Sequence, residues 1–370
     1  MTKICHLSSV HPPFDKRVFH RECMALAARG YEVVFVVPHT EPDVVDGVTI
    51  RPISPGKGYM TRLSQTIWQV YAQARREQAT IYHFHDPELM IIGFLLKLQG
   101  KKVIYDLHED TPLQIQSKYW LPKQLRPLLA GLTRISEEVG SQWFDGIVAA
   151  TPAIARRFNP RKTAIVQNFP RADEFAPDGP MRYSDRPANI IHLGYISKLR
   201  GSVEMLKGVL ALPAHLQAKL VLVGGMTTKA DHDQLKLMPG WDRIIMTGWR
   251  PRTELASLLA QARIGLCILH PAPNYLESYP VKLFEYMSAG LPVVASNFPL
   301  WEKIINDAGC GLVIDPLDPA QLSASIKWLL DHPQEAEQMG HRGREAVRSH
   351  YNWQNEEEKL LAFYHQILTT

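Results

Sequence analysis

Glu277-Ser-Tyr-Pro-Val-Lys-Leu-Phe-Glu285, followed at once by Tyr286-Met-Ser-Ala-Gly-Leu-Pro-Val-Val-Ala295, is the stretch from which the rest of the chain can be read. Pro280 suits the first turn of a helix, where a missing N–H costs nothing, and Gly290 with Pro292 gives a stop signal. The spacing predicts a helix over about 280 to 289, leading into a short buried strand. Glu277 then falls in the loop before the helix and Glu285 more than a turn inside it, so no single helical face joins them. The N–H groups of Val281, Lys282 and Leu283, with the positive end of the helix dipole, suit a phosphate. Glu285 is placed to accept from hydroxyls attached to that phosphate, and Glu277 faces whatever lies on its other side. A diphosphate with a sugar at each end fits this layout. Taken alone, each glutamate reads more readily as an ordinary helix residue, Glu285 solvated and Glu277 pairing with the helix dipole.

Two glutamates with seven residues between them form a loose pattern. Set in Pro-x-Lys-x-x-Glu-Tyr-Met-x-Ala-Gly-x-Pro-Val-Val, the stretch resembles the signature of the family-4 retaining glycosyltransferases (glycosyl transferases group 1), and the resemblance extends over most of the chain. It implies an α/β chain of GT-B fold: two Rossmann-like domains facing each other across a cleft, with a C-terminal helix crossing back to the first.

Composition agrees with that size and class. The chain has 370 residues, 45% of them hydrophobic and 21% charged, enough for two ordinary soluble domains. The longest apolar run, Leu89 to Leu98, falls well short of the roughly 20 residues of a bilayer span. The first residues read as a strand rather than a leader peptide, so a cytoplasmic protein is expected. Cys5, Cys23, Cys267 and Cys310 are scattered, with no paired spacing for zinc or redox work. A net charge of +4 is mild, and no basic stripe interleaved with aromatics marks a nucleic-acid partner.

In the first half, Ile4 to Val10, a Pro-rich loop, a helix ending at Gly30 and the apolar run Tyr31 to Val37 form a βαβ unit. Ligands of open α/β sheets sit beyond the carboxyl ends of the strands, which makes residues 11 to 17 a candidate wall of the site. Asp15-Lys16-Arg17 stands where the family usually has glycines, so a side-chain contact from Arg17 to a phosphate or acceptor acid is expected. The ordinary surface loop is the competing reading. Residues 60 to 78 and 118 to 134 mix Trp68, Tyr71 and Trp120 with Arg62, Arg75, Arg76, Lys118, Lys123, Arg126 and Arg134, a composition that suits a membrane surface as well as a solvated basic edge. His83 and His85 are expected on opposite sides of their strand, leaving His85, beside Asp86, to face the ligand. Val103 to Asp106 leads to His108-Glu109, and the resemblance puts His108 beside the reacting sugar. His85 and Glu109 are acceptor-side candidates. A His/Asp/Glu metal cluster is the other reading of these strand ends, but diagnostic ligand spacing is lacking and no metal is expected.

Residues 1–170 are read as the first domain, 171–188 as a linker without periodicity, 189–351 as the second domain, and 352–370 as the crossing helix. The second domain opens with Asn189 to Gly194, then Tyr195-Ile-Ser-Lys198-Leu-Arg200-Gly201 and a helix. A glycine turn with cations at a helix start is phosphate chemistry. Compared with the family, Tyr195 replaces an Arg and Arg200 takes a Lys position, leaving Lys198 as a substitute cation. By resemblance the Gly248-Trp249-Arg250 loop holds the nucleotide base. Tyr279 joins the donor side, and Asp231-His-Asp233 reads as a solvated helix face rather than a metal motif.

The implied reaction moves a sugar from a nucleotide-sugar donor to a hydroxyl of a glycan or lipid-linked acceptor, with retention and without a metal or other cofactor. Lys198 and Arg200 neutralise the diphosphate, Glu285 holds ribose hydroxyls, and Glu277 and His108 position the sugar. Surface polysaccharide or lipid-linked glycan assembly is the implied context, with the protein cytoplasmic or peripheral on the inner face of the membrane. A GT-B-fold sugar-nucleotide epimerase or phosphorylase, and a silent sugar-nucleotide-binding subunit, remain alternatives.

Overall fold

In the computed structural model, which describes residues 1–55, 58, 61–117, 121–176 and 182–369, the chain forms two α/β units. One comprises Met1–Asn168 with Gln354–Thr370, the other Phe169–Trp353. Strands that are apolar on both faces need helices on both sides, which is the arrangement of a parallel sheet.

The first unit contains β1 (Lys3–Leu7), β2 (Glu32–Pro38), β3 (Asp43–Val45), β4 (Val48–Ile53), β5 (Ile81–Phe84), β6 (Lys102–Leu107), β7 (Gly146–Ala149) and β8 (Thr163–Ile165). They lie in the order β3-β4-β2-β1-β5-β6-β7-β8, parallel except for the β3/β4 pair. Chain order reverses at β1, which pairs with β2 on one side and β5 on the other. Such a switch point opens a crevice at the carboxyl ends of the strands. It lies between the loop after Leu7 and His85-Asp86. The last helix, Trp353–Thr369, packs on this sheet: a Cβ added at Gly146 would meet Phe363 and Ile367 at 2.7 Å each. Burying side chains such as Phe363, Tyr364 and Ile367 stabilises the unit by about 1.5–3 kcal/mol apiece.

The second unit contains β9 (Asn189–Leu193), β10 (Lys219–Val223), β11 (Ile244–Gly248), β12 (Ile264–Cys267), β13 (Val293–Ser296) and β14 (Gly311–Ile314). Their order, β11-β10-β9-β12-β13-β14, is the doubly wound dinucleotide-type order, with its switch point between β9 and β12. Those two strands pair at Ile264 with Ile190 and at Gly265 with Ile191. Beyond that point the Tyr286 hydroxyl bridges them, accepting from Leu193 N–H at 2.9 Å and donating to Leu266 O at 3.1 Å. Gly265 makes room for the ring, since a Cβ there would stand 2.4 Å from it.

The 171–188 stretch, read from composition as a linker, belongs to the second unit from Phe169 onward. The reason is aromatic: Phe175 and Tyr183 are buried in its core clusters. The helix expected from about 280 to 289 spans Val281–Ser288, with Pro280 as its cap residue. The basic-aromatic stretches become helices Ile67–Glu77 and Leu125–Trp143, while Lys118 and Trp120 lie outside the described residues. Among the described residues, no helix is long and apolar enough to cross a membrane.

Candidate functional site

At the β9/β12 switch point the chain turns at Gly194 and passes through Lys198–Arg200 into the helix Ser202–Leu210. The turn is drawn in tightly: at Gly224 (φ +146°) a Cβ would lie 2.0 Å from Gly194 O, so only glycine lets the two loops touch. Lys282 enters from the first turn of the Val281–Ser288 helix. Its ammonium is 3.3 Å from His192 Nε2 and 3.9 Å from where a Gly194 Cβ would be, so it points at the bare face of that turn. Burial lowers its pKa to about 8, because a charge removed from water is disfavoured. His192, buried beside it, is held neutral by burial and by that neighbouring cation.

Arg200 lies over the rings of Tyr195 and Tyr275, 5.8 and 5.9 Å from their centroids. Tyr195 meets Trp249 edge to face at 5.0 Å, so the residue standing in place of an arginine instead forms an aromatic wall. Trp249 is 61% exposed, and Arg250 pairs with Glu254 at 3.3 Å. Lys198 is exposed and its backbone N–H donates to Asp231 Oδ1 at 3.3 Å, which gives Asp231-His-Asp233 a bracing part.

Glu285 is buried and takes a 3.1 Å hydrogen bond from Arg252 Nη1. Arg252 also contacts Glu174 and lies 4.7 Å over the Phe175 ring, so the carboxylate is oriented by a residue far away in sequence. Glu277 is exposed, in a loop tied down by the 2.8 Å bond from Trp301 Nε1 to Ser278 O. Tyr279 stacks toward Phe284 at 6.3 Å and meets Phe169 at 6.2 Å, placing its ring at the core's edge. The expectation that all three N–H groups at 281–283 are open is corrected: Leu283 N–H donates to Pro280 O at 2.9 Å. The helix's own first turn takes that donor, leaving Val281 and Lys282 as the amides to consider.

The first unit's switch point is a network of bonded side chains. Asp86 Oδ2 accepts from Ser8 Oγ at 2.7 Å and Ser9 N–H at 2.6 Å, and Asp86 Oδ1 lies 3.2 Å from His11. Burial pushes the Asp86 pKa up, but His11 and the two serines more than offset it and hold it at about 2. His108 Nε2 is 3.0 Å from Asp106 Oδ2 and 3.2 Å from His85 Nδ1. Burial lowers the His85 pKa to about 4 despite the Asp106 carboxylate. Glu109 is exposed and engages Gln114.

Arg17 corrects the reading of its loop. It is 3% exposed, and its guanidinium donates to Asp106 at 3.2 and 3.0 Å and to Val166 O at 2.7 Å. A charged residue in a loop looks solvent-facing in sequence, but the strand order sets Asp106 beside it. His83 and His85, expected to point apart, stand on the same side with ring centroids 4.7 Å apart, as residues two apart along an extended chain do. Sequence reasoning passed over Asp106, Arg252 and Tyr286. Asp106 ends an apolar strand run and carries a signal; Arg252 and Tyr286 acquire meaning only through partners remote in sequence.

Two family descriptions match the chain: "Glycosyltransferase Family 4" over residues 16–168 and "Glycosyl transferases group 1" over residues 183–346. The chain is 28% identical to an MMP alpha-(1->4)-mannosyltransferase of Mycolicibacterium hassiacum over 46% of its own length and 41% of that protein's. It is 27% identical to a phosphatidyl-myo-inositol mannosyltransferase of Mycobacterium leprae over 93% of its own length and 91% of the relative's. Among solved structures, a sucrose-phosphate synthase from Thermosynechococcus elongatus superposes with a TM-score of 0.79 over all of both chains at 19% identity, a likeness of fold.

Proposed function

The chain belongs to glycosyltransferase family 4, and from that premise we propose that it transfers a sugar from a nucleoside-diphosphate sugar to a hydroxyl acceptor, with retention at the anomeric carbon. The observation that carries this reading is the buried Lys282 ammonium facing the glycine turn at 194. A departing diphosphate needs charge neutralisation where charge develops, in a site that excludes water. Lys282 and Arg200, with the amides of Val281 and Lys282, supply it. Glu285, oriented by Arg252, receives ribose hydroxyls, and Glu277 serves the sugar. Within the first unit, His108, held by Asp106, is the candidate group for a sugar hydroxyl. The Tyr195 and Trp249 rings offer a face for the base.

Measuring nucleoside-diphosphate release from a set of nucleotide-sugars, with and without hydroxyl acceptors, tests the reading. Acceptor-dependent release is expected. Tight donor binding without release sinks the transferase reading in favour of a silent binding subunit, and acceptor-independent conversion of the donor favours an epimerase.

For the acceptor we propose a lipid-linked glycan at an anionic membrane surface. The helix Leu125–Trp143 supports this: Leu128, Leu132 and Ile135 are 59%, 56% and 59% exposed on one stripe that runs on through Val139 toward Trp143. An exposed apolar stripe along one helix is the pattern of a helix lying in a bilayer interface. Co-sedimentation with vesicles containing anionic lipid is expected, reduced at least several-fold in Leu128→Ser/Leu132→Ser/Ile135→Ser. Equal binding by that variant overturns the assignment.

A further inference from the structure

We propose that His6, Glu22, His83 and His85 form a closed site in the first unit for one divalent transition-metal ion of the zinc class, independently of whether the chain transfers sugar. These side chains converge from β1, from the helical turn Val18–Cys23 and from the end of β5. Each offers a donor atom, all four atoms lie within 4.8 Å of one another, and all four residues are buried.

Two further observations point to an ion rather than to a self-contained polar cluster. Among the described residues His83 Nε2 is buried without a hydrogen-bond partner, while the Glu22 carboxylate, buried with it, lies against the Asp106 carboxylate and the Arg17 guanidinium and makes no well-aligned hydrogen bond to either. Arg17 Nε reaches Glu22 Oε1 at an ion-pair distance of 3.0 Å but not in hydrogen-bonding geometry. Leaving such atoms unsatisfied in the interior is unfavourable, and a coordinated cation removes that penalty.

The other ring nitrogens are already engaged. His83 Nδ1 is 2.7 Å from the Tyr364 hydroxyl, His85 Nδ1 is 3.2 Å from Asp106 Oδ2, and His6 Nε2 is 3.3 Å from the Tyr364 hydroxyl. This is the outer arrangement that orients metal-binding histidines, one nitrogen held by a carboxylate or hydroxyl and the other turned to the metal. What remains inward is His83 Nε2, His85 Nε2 and His6 Nδ1, the last two 2.9 Å apart. Two imidazole nitrogens facing each other at that distance share either a proton or a cation.

Three imidazoles and one carboxylate suit zinc-class ions, and four protein ligands leave no open position, the mark of a structural site. Asp106, bonded to Arg17, acts as the outer partner of His85. The ion would fasten β1, β5 and the 18–23 turn to one another, with the last helix behind them through Tyr364.

The test uses the full chain without a polyhistidine tag. Elemental analysis of the purified protein is expected to find about one zinc-class ion per chain. Protein stripped with chelator should take up Zn2+ or Co2+ at about one equivalent, with the visible absorption of four-coordinate Co2+ and a raised melting temperature. Glu22→Ala and His83→Ala are expected to lose the ion, whereas His108→Ala, outside the ligand set, keeps it. Since the first two substitutions could unfold the chain, the wild-type arm decides alone: stripped, folded protein that takes up less than about a tenth of an equivalent of either ion overturns the proposal. Loss of the ion in His108→Ala with retention in Glu22→Ala overturns it equally.

Discussion

At the β1/β5 switch point carboxylates and cations meet inside the protein, Asp86 with His11 and Asp106 with Arg17. At the β9/β12 switch point the cations meet neutral groups instead: Lys282 faces an imidazole, and Arg200 lies over two phenol rings. Both crevices occupy the same place in their sheets, so topology alone does not separate them. The difference lies in where the compensating charge comes from. In the first unit it is built in and fixes side-chain positions. In the second, no carboxylate is ion-paired with Lys282 or Arg200 among the described residues, and the proposed diphosphate site rests on that arrangement.

The largest effect is expected from breaking the internal pairing. Asp106→Ala removes the carboxylate hydrogen-bonded to the buried Arg17 guanidinium, leaving it only the Glu22 ion pair, and should destabilise the protein by about 3 kcal/mol in denaturant titrations. A loss under about 1 kcal/mol would show that the pairing is not what holds this crevice together.

Next is the cation with no built-in carboxylate. Lys282→Met should lower turnover about 10²–10³-fold, the loss expected on removing one donor from a charge-stabilising site. Its melting temperature should hold or rise, because a buried charge has been removed. Unchanged kcat/KM would place the diphosphate elsewhere.

Glu285→Ala is expected to weaken donor binding by about 1–3 kcal/mol in calorimetry, a charge-assisted contact's worth. Arg252→Ala should reproduce part of that loss, since Arg252 aims the carboxylate. Full donor affinity in Glu285→Ala rules out the ribose contact.

The gentlest probe is pH. Folding lowers the Lys282 pKa from 10.5 to about 8, so between those values the unfolded chain holds the extra proton and this residue's contribution to stability rises with pH. Anion binding runs the other way, because it requires the ammonium. Nucleoside-diphosphate affinity should be level below pH 8 and fall up to about tenfold per unit above it. Lys282→Arg should flatten that fall, and an equally steep fall in this variant would assign the titration to another group.

What was legible in sequence was local. Pro280 and Gly290 punctuate the helix within one apolar stretch, and the continuous run Val33 to Val37 marks a strand covered on both faces. What was illegible depends on strand order. Nothing near Glu285 announces Arg252, 33 positions upstream, and nothing near Arg17 announces Asp106, 89 positions downstream. Tyr286 looks like core filling, yet its hydroxyl joins two strands at the point where their own pairing stops. Phe175 and Tyr183 were hidden by the prolines and charges around them, though two aromatics are enough to draw the stretch into a core.

The return of the final helix to the first sheet has a consequence during synthesis. Residues 354–369 leave the ribosome long after Asn168, with the whole second unit in between. At ordinary elongation rates that interval is roughly 10–40 s. Over that time the first unit lacks the side chains that cover Gly146 and the Tyr364 hydroxyl that meets His83 and His6, and by its end, at residue 353, the second unit has every segment it needs. The nascent chain therefore completes its later domain before its earlier one, and ribosome-bound chains ending at residue 353 and extended by a flexible linker that clears the exit tunnel should display a protease-resistant second unit and a first unit that is still cut.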